Sequence, residues 1–115
     1  MARGKPETVI CTYRVIAGKE KAFLELLRRH WPTLRRLEVV TRDPPLLFRG
    51  SEGEQQPLFI EIFSWKSRSA FAVAHLHPEV LAIWEPMELL TEARGGKPAM
   101  DFPHVERVDL KFAAA

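Results

Sequence analysis

The 115-residue chain contains no asparagine, and it has one cysteine and one tyrosine. With Cys11 alone, no intramolecular disulfide can form, which fits a reducing cytoplasm. No apolar run approaches the ~20 residues of a membrane-spanning helix. The opening MARGKPETVICTY lacks the apolar stretch of a secretory signal, again the expectation for a cytoplasmic protein. A clustered basic face is missing too: the formal net charge is +2, from 17 Lys and Arg interspersed with 15 Asp and Glu. Neither nucleic acid nor a membrane is an expected partner. Gly95-Gly96 is a lone glycine pair, and no phosphate-cradling glycine-rich loop occurs. The missing asparagine excludes any site chemistry that needs its carboxamide.

What is present suits one globular domain over residues 1–115, with 46% hydrophobic residues, seven Phe and three Trp to fill a core. Thr8 to Ile16 is rich in β-branched residues and ends at Ala17-Gly18, which predicts a first strand. From Lys19 to Leu37, Phe23, Leu26, Leu27, Trp31 and Leu34 recur at three- and four-residue steps, which predicts a helix. Pro32 is expected to kink or end it. Val39-Val40 and Pro45 to Gly50, interrupted at Asp43-Pro44-Pro45, read as a second strand that forms a hairpin with Pro57 to Trp65 across the polar turn SEGEQQ. Ser67 is the predicted N-cap of a helix over Arg68 to Leu76, and Pro78 the first turn of a further helical piece. Pro103 to Phe112 alternates and reads as the last strand. The order β-α-β-β-α-β predicts an α+β, ferredoxin-like domain: a four-stranded antiparallel sheet with its helices on one face.

The stretch FIEIFSW, Phe59 to Trp65, places Glu61 in the middle of an apolar strand. A buried carboxylate is costly unless it is paired or hydrogen-bonded. By alternation, Val9, Cys11, Tyr13 and Val15, with Leu58, Ile60 and Ile62, are expected beneath the helices. The other face would carry Thr12, Arg14, Phe59, Glu61, Phe63 and Trp65. Such a face needs cover, so a second copy is expected over it, with Glu61 paired to Arg14 there. The alternative is a structural or solvated Glu61–Arg14 ion pair.

The run WKSRSAFAVAHLHPEVLAIW, Trp65 to Trp84, resembles the junction of the third strand and second helix in the antibiotic biosynthesis monooxygenase (ABM) family. The matching residues are Glu61, Trp65, Ser67, Ala70-Phe71 and His75. TYRVIAGKEKAFLELL, Thr12 to Leu27, is similar to that family's first strand and helix. The resemblance spans about residues 8 to 110. It implies a dimeric α+β barrel, a homodimer with the two sheets facing each other, and a pocket between sheet and helices in each protomer. Quinone-forming members use an Asn, a Trp and a Tyr. Haem-degrading members use an Asn on strand one with a Trp and a His on helix two. A chain without asparagine completes neither set.

If chemistry occurs, His75 is the expected proton acceptor, since a pKa of ~6.5 suits proton transfer near neutral pH. Arg14 would hold an anionic or phenolate oxygen, and Glu61 would complete the catalytic set. Thr12, Phe63, Trp65 and Trp84 are expected to line the substrate pocket, with Tyr13 at its wall. Cys11, central in a strand, reads as a small buried hydrophobe. His75 and His77 do not share a helical face, so a joint metal site would need a break at Pro78 and a third ligand, His104 or Glu61. No metal site and no organic cofactor is expected. The long connection Glu92 to His104 would fold over the pocket, reach a partner, or simply lie on the surface. Three functions follow in order: an ABM-like monooxygenase acting on a small apolar or aromatic molecule, a non-catalytic ligand-binding or stress-related homodimer, and a metal-assisted enzyme using His75 and His77.

Overall fold

Strand β1, Glu7–Arg14, sends Val9, Cys11 and Tyr13 to one side and Thr8, Ile10 and Thr12 to the other. In the computed structural model, which describes residues 4–115, it is central in an antiparallel sheet. The first three residues of the opening segment lie outside that range. Strand β3, Pro57–Trp65, pairs with β1 along its whole length, and β2, Leu46–Ser51, pairs with the other edge of β3. Two short strands, β4 (Met100–Asp101) and β5 (His104–Val105), pair in line on the free side of β1. The sheet order β2-β3-β1-β4 is that of the ferredoxin-like fold. Helices α1 (Glu20–Arg36), α2 (Arg68–Leu76) and α3 (Pro78–Leu89) complete the element order. No helix of the described residues is long and apolar enough to cross a membrane.

The local signals account for most boundaries. Gly18, at φ +87°, takes the left-handed turn that leads from β1 into α1. Ser67 caps α2, its hydroxyl accepting from the Ala70 N–H at 3.1 Å. His77 caps α3 the same way, its Nδ1 accepting from the Glu79 N–H at 3.1 Å, with Pro78 in the first turn. Helix α1 differs from expectation, because it runs unbroken through Pro32. Proline costs a helix one donor. Here Phe23, Leu26, Leu27 and Leu34 are buried on both sides of it, and that packing holds the helix together.

The last strand is also shorter than its alternation suggests. Pairing stops at Val105, opposite Thr8, and residues 106–115 form no strand. Continued in the same register, Glu106 would face Glu7, a like-charge pair, and Arg107 would face Pro6, which has no N–H to give. Within its own chain the segment from Glu106 to Phe112 has no ladder left to join. Val108, Leu110 and Phe112 are all strongly exposed.

The register also corrects the assignment of faces. Glu61 lies opposite Cys11, Phe63 opposite Val9, and Phe59 opposite Tyr13. Cross-strand partners share a face, so Phe59, Glu61, Phe63 and Trp65 lie under the helices and are buried. The open face carries Ile10, Thr12, Ile60 and Ile62, continued on β2 by Leu46 and Phe48. Apolar purity argued for Leu58, Ile60 and Ile62 as core. The larger rings of Phe59, Phe63 and Trp65 fill that space instead.

Arg14 does not meet Glu61. Its guanidinium donates to Asp101 Oδ2 and the Pro98 carbonyl at 2.9 Å, and to Glu52 Oε2 at 3.2 Å. Arg94 joins the same cluster, donating to Glu52, to the Pro57 carbonyl and to the Val15 carbonyl. Together they tie the β2–β3 turn and the connection after α3 to the end of β1. Burial favours the neutral Glu52 carboxyl, yet Arg14, Lys97 and Arg94 outweigh it and hold its pKa below the ordinary 4.5. A depressed carboxylate stabilises the fold fully above its unfolded pKa, and that contribution is lost as pH falls through the folded value. Thermal unfolding from pH 6 down to pH 2 should therefore show a decline below about pH 4.5 in the native chain. Glu52→Gln should start lower at pH 6 and decline less steeply. An unchanged acid limb would mean that this cluster does not contribute.

Candidate active site

Residues 23, 26, 27, 30 and 34 occupy one stripe of α1, so His30 falls among the buried leucines and is 2% exposed. That places its imidazole above Glu61 on β3, itself 1% exposed. His30 Nδ1 and Glu61 Oε1 are 2.8 Å apart. Tyr13 Oη donates to the same oxygen at 2.8 Å. On the far side of the ring, Trp84 of α3 donates its Nε1–H to His30 Nε2 at 2.8 Å. An indole nitrogen can only donate, so Nε2 accepts. The proton of a neutral His30 then sits on Nδ1 and is donated to Glu61. The tautomer follows from the partners.

This chain resolves the carboxylate in FIEIFSW. Glu61 is buried beneath the helices rather than at a second sheet, and two buried donors satisfy it. Burial, and then the neighbouring Glu61 charge, push the Tyr13 phenol well above its usual pKa, so it stays a donor. The same two causes raise the Cys11 thiol, which keeps it from acting as a nucleophile.

Beside the network lies a cavity of about 200 Å³. Its walls include Cys11, Tyr13, His30, Phe63, Trp65, His75 and Trp84, with Met100 and Phe102 from the connection that reaches over it. Five of its wall rings, together with Phe71 behind them, form a closed series of contacts. His30 meets Phe63 at 5.8 Å, Phe63 meets Trp65 at 5.1 Å, and Trp65 meets Phe71 at 5.4 Å. Phe71 meets His75 at 5.3 Å, His75 meets Trp84 at 5.4 Å, and Trp84 returns to His30 at 6.2 Å. The contacts are edge-to-face or tilted, the arrangement the ring quadrupole favours. Trp65 Nε1 is buried without a partner, the one such donor among the cavity's described residues.

Of the residues singled out from sequence, Phe63, Trp65, Trp84 and His75 line this cavity. His75 stands exposed on α2 and makes no hydrogen bond among the described residues. Glu61 holds the network beneath it. Thr12 does not line it, because it sits on the open face opposite Ile60. Arg14 is at the sheet end with Glu52 and Asp101, so it holds no oxygen in the cavity. His77 is engaged as a helix cap, and His104 pairs with Glu7 at 2.8 Å. Neither joins His75, and among the described residues no three His, Cys, Asp or Glu side chains cluster as metal ligands. His30 went unpredicted from sequence, although its place in the α1 stripe marks it.

No family model matches the chain, and no curated protein matches it. Solved structures do. A mutant of SnoaB, a cofactor-independent oxygenase from Streptomyces nogalater, superposes with a TM-score of 0.70 at 16% identity, covering 93% of this chain and 97% of that one. A protein of unknown function and possible oxidoreductase from Bacteroides thetaiotaomicron gives 0.67 at 13% identity, over 92% and 100%. A provisionally assigned antibiotic biosynthesis monooxygenase from Nitrosomonas europaea gives 0.63 at 14%, over 94% and 95%. The chain thus has the ferredoxin-like α+β fold of ABM-type proteins, and identities this low carry the fold alone.

Glu61→Ala should cost about 2–5 kcal/mol in urea unfolding, because it strands two buried donors, the Tyr13 hydroxyl and the His30 N–H. Glu61→Gln keeps a carbonyl acceptor and should cost less. Equal loss in the two variants would show that the hydrogen bonds to Oε1 do not matter.

Proposed function

We propose that the chain is an ABM-like monooxygenase that acts on a small aromatic molecule, without a dissociable organic cofactor, and works as a homodimer. The observation that carries this reading is the ring-walled cavity with the unpartnered imidazole of His75 on its wall. Both nitrogens of His30 are engaged, so His75 is the base. It removes a proton from an activated C–H or phenolic O–H. The electron-rich anion then passes an electron to dioxygen, and recombination forms a C–O bond. Loss of water from the peroxide leaves a carbonyl. Overall R₂CH₂ and O₂ give R₂C=O and H₂O, and the substrate supplies all the electrons. The Trp65 N–H is the donor on hand for a substrate oxygen. Glu61 and His30 act as positioning residues that hold Trp84 in the wall.

Oxygen uptake with dihydroxynaphthalenes should reveal turnover, and His75→Ala should lower kcat by about 10²–10⁴-fold with little change in KM. Unchanged turnover would remove His75 from the role of base. Binding without uptake would favour the second reading, a ligand-binding dimer without chemistry, which the fully engaged His30 supports.

The dimer rests on the open sheet face. Ile10, Ile60, Ile62, Leu46 and Phe48 form a contiguous apolar surface, with Leu46 58% and Phe48 53% exposed. A surface of this kind marks an interface. The Cα radius of gyration, 15.6 Å, exceeds the ~13 Å of a compact domain this size. A second copy laid over the sheet would cover this face and offer the segment after Val105 a place to pack. Light scattering after size exclusion should give twice the 13.2 kDa chain mass, and Ile60→Glu should shift it to monomer. A native chain that is monomeric at micromolar concentration would sink the assembly.

A further inference from the structure

The cavity's charge is as telling as its rings. The wall that α3 supplies is Leu81, Trp84, Glu85 and Glu88, the i, i+3, i+4, i+7 stripe of one helical face. Glu85 and Glu88 are exposed, three residues apart, and form no ion pair among the described residues. Like charges at that spacing repel. No Lys or Arg lines the cavity. Arg14, the cation that the sequence offered for this site, is held elsewhere by Asp101 and Glu52. Glu61 adds a further carboxylate beneath the floor, with neutral donors as its partners.

Two independent features therefore favour the same ligand charge. Rings of Trp and Phe attract a cation through their negative faces. Unpaired carboxylates on the same wall attract it through charge. Both disfavour a carboxylate or phosphate. The volume, about 200 Å³, is below the ~300–1,000 Å³ of pockets for drug-sized ligands, which limits the ligand to one or two rings.

We propose that the cavity takes a small arylalkylamine, bound as its ammonium, with the ring against the aromatic side chains of the wall and the charged nitrogen at Glu85 and Glu88. This names the substrate class for the site of the preceding section and rests on that reading. It also fits the chemistry. A substrate that loses a proton at its ring end becomes an anion, which carboxylate-lined walls would oppose. An ammonium on the same molecule leaves it a net-neutral zwitterion.

Three matched probes separate the terms: tyramine, 4-ethylphenol and 3-(4-hydroxyphenyl)propanoate share a phenol ring and differ in charge. In titration calorimetry at pH 7 and low salt, tyramine should bind about tenfold tighter than 4-ethylphenol, with the propanoate weakest. In Glu85→Gln/Glu88→Gln, both exposed and safe for folding, the tyramine advantage should fall to within about threefold. The affinity for 4-ethylphenol should hold. If 4-ethylphenol binds and tyramine gains nothing, the charge preference is overturned while the aromatic cavity stands. If the propanoate binds as tightly as tyramine, or the advantage survives the double substitution, the carboxylates are not its source. If no probe binds, both this inference and the cavity's role in function fall.

Discussion

A single carboxylate under two helices organises this molecule. Glu61 can lie at 1% exposure only because Tyr13 and His30 both reach its Oε1. Each contact constrains a different element. Tyr13 is two residues along β1 from Glu61's cross-strand neighbour, Cys11, so the bond secures the β1–β3 register. His30 fixes the rotation of α1 about its axis, since a slip by one residue would turn the ring off the apolar stripe. Through His30 Nε2, the chain of bonds continues to Trp84 and sets where α3 packs. Sheet, first helix and third helix are thus linked by three hydrogen bonds, each 2.8 Å long. The cavity is bounded by the same side chains.

Placing the carboxylate on the inner face has consequences for the outer one. Because Phe59, Phe63 and Trp65 follow Glu61 inward, β3 presents Leu58, Ile60 and Ile62 outward. An ion pair at the open face is replaced by aliphatic surface, a better interface for association. Arg14 points outward too, but at the strand end, where Glu52, Asp101 and the Pro98 carbonyl surround it. The charge that seemed available for a substrate is instead structural, and it pins the connection that carries Met100 and Phe102 over the cavity.

The sequence was most legible where a local signal decides the structure. Strand β3 spans the residues its composition marks, Ser67 caps α2 through its own side chain, and Pro78 opens α3. It was least legible where a tertiary contact overrides the local rule. Pro32 should break α1, yet buried packing on either side carries the helix through. The phase of β3 could not be read from alternation, because both of its faces are apolar and only the register separates them. His30 was hidden for a related reason. A histidine among leucines draws no notice until the carboxylate it serves is known to be beneath it. The shortened last strand depends on Glu7 and Pro6, about a hundred residues away in the chain.

The two cavity histidines are alike in chemistry and opposite in circumstance. His30 is deep, aligned by Glu61 and capped by Trp84. A carboxylate behind an imidazole makes it a well-oriented base, but here its outward nitrogen already holds an indole proton. To act, it would have to exchange the Trp84 N–H for a substrate proton, opening the wall that shapes the cavity. His75 faces no such conflict, since nothing among the described residues occupies either nitrogen. Rigidity belongs to one and availability to the other. A site that must hold a flat ring and also remove a proton from it needs both, and the fold supplies them on separate helices, α1 and α2, with Trp84 in ring contact with each.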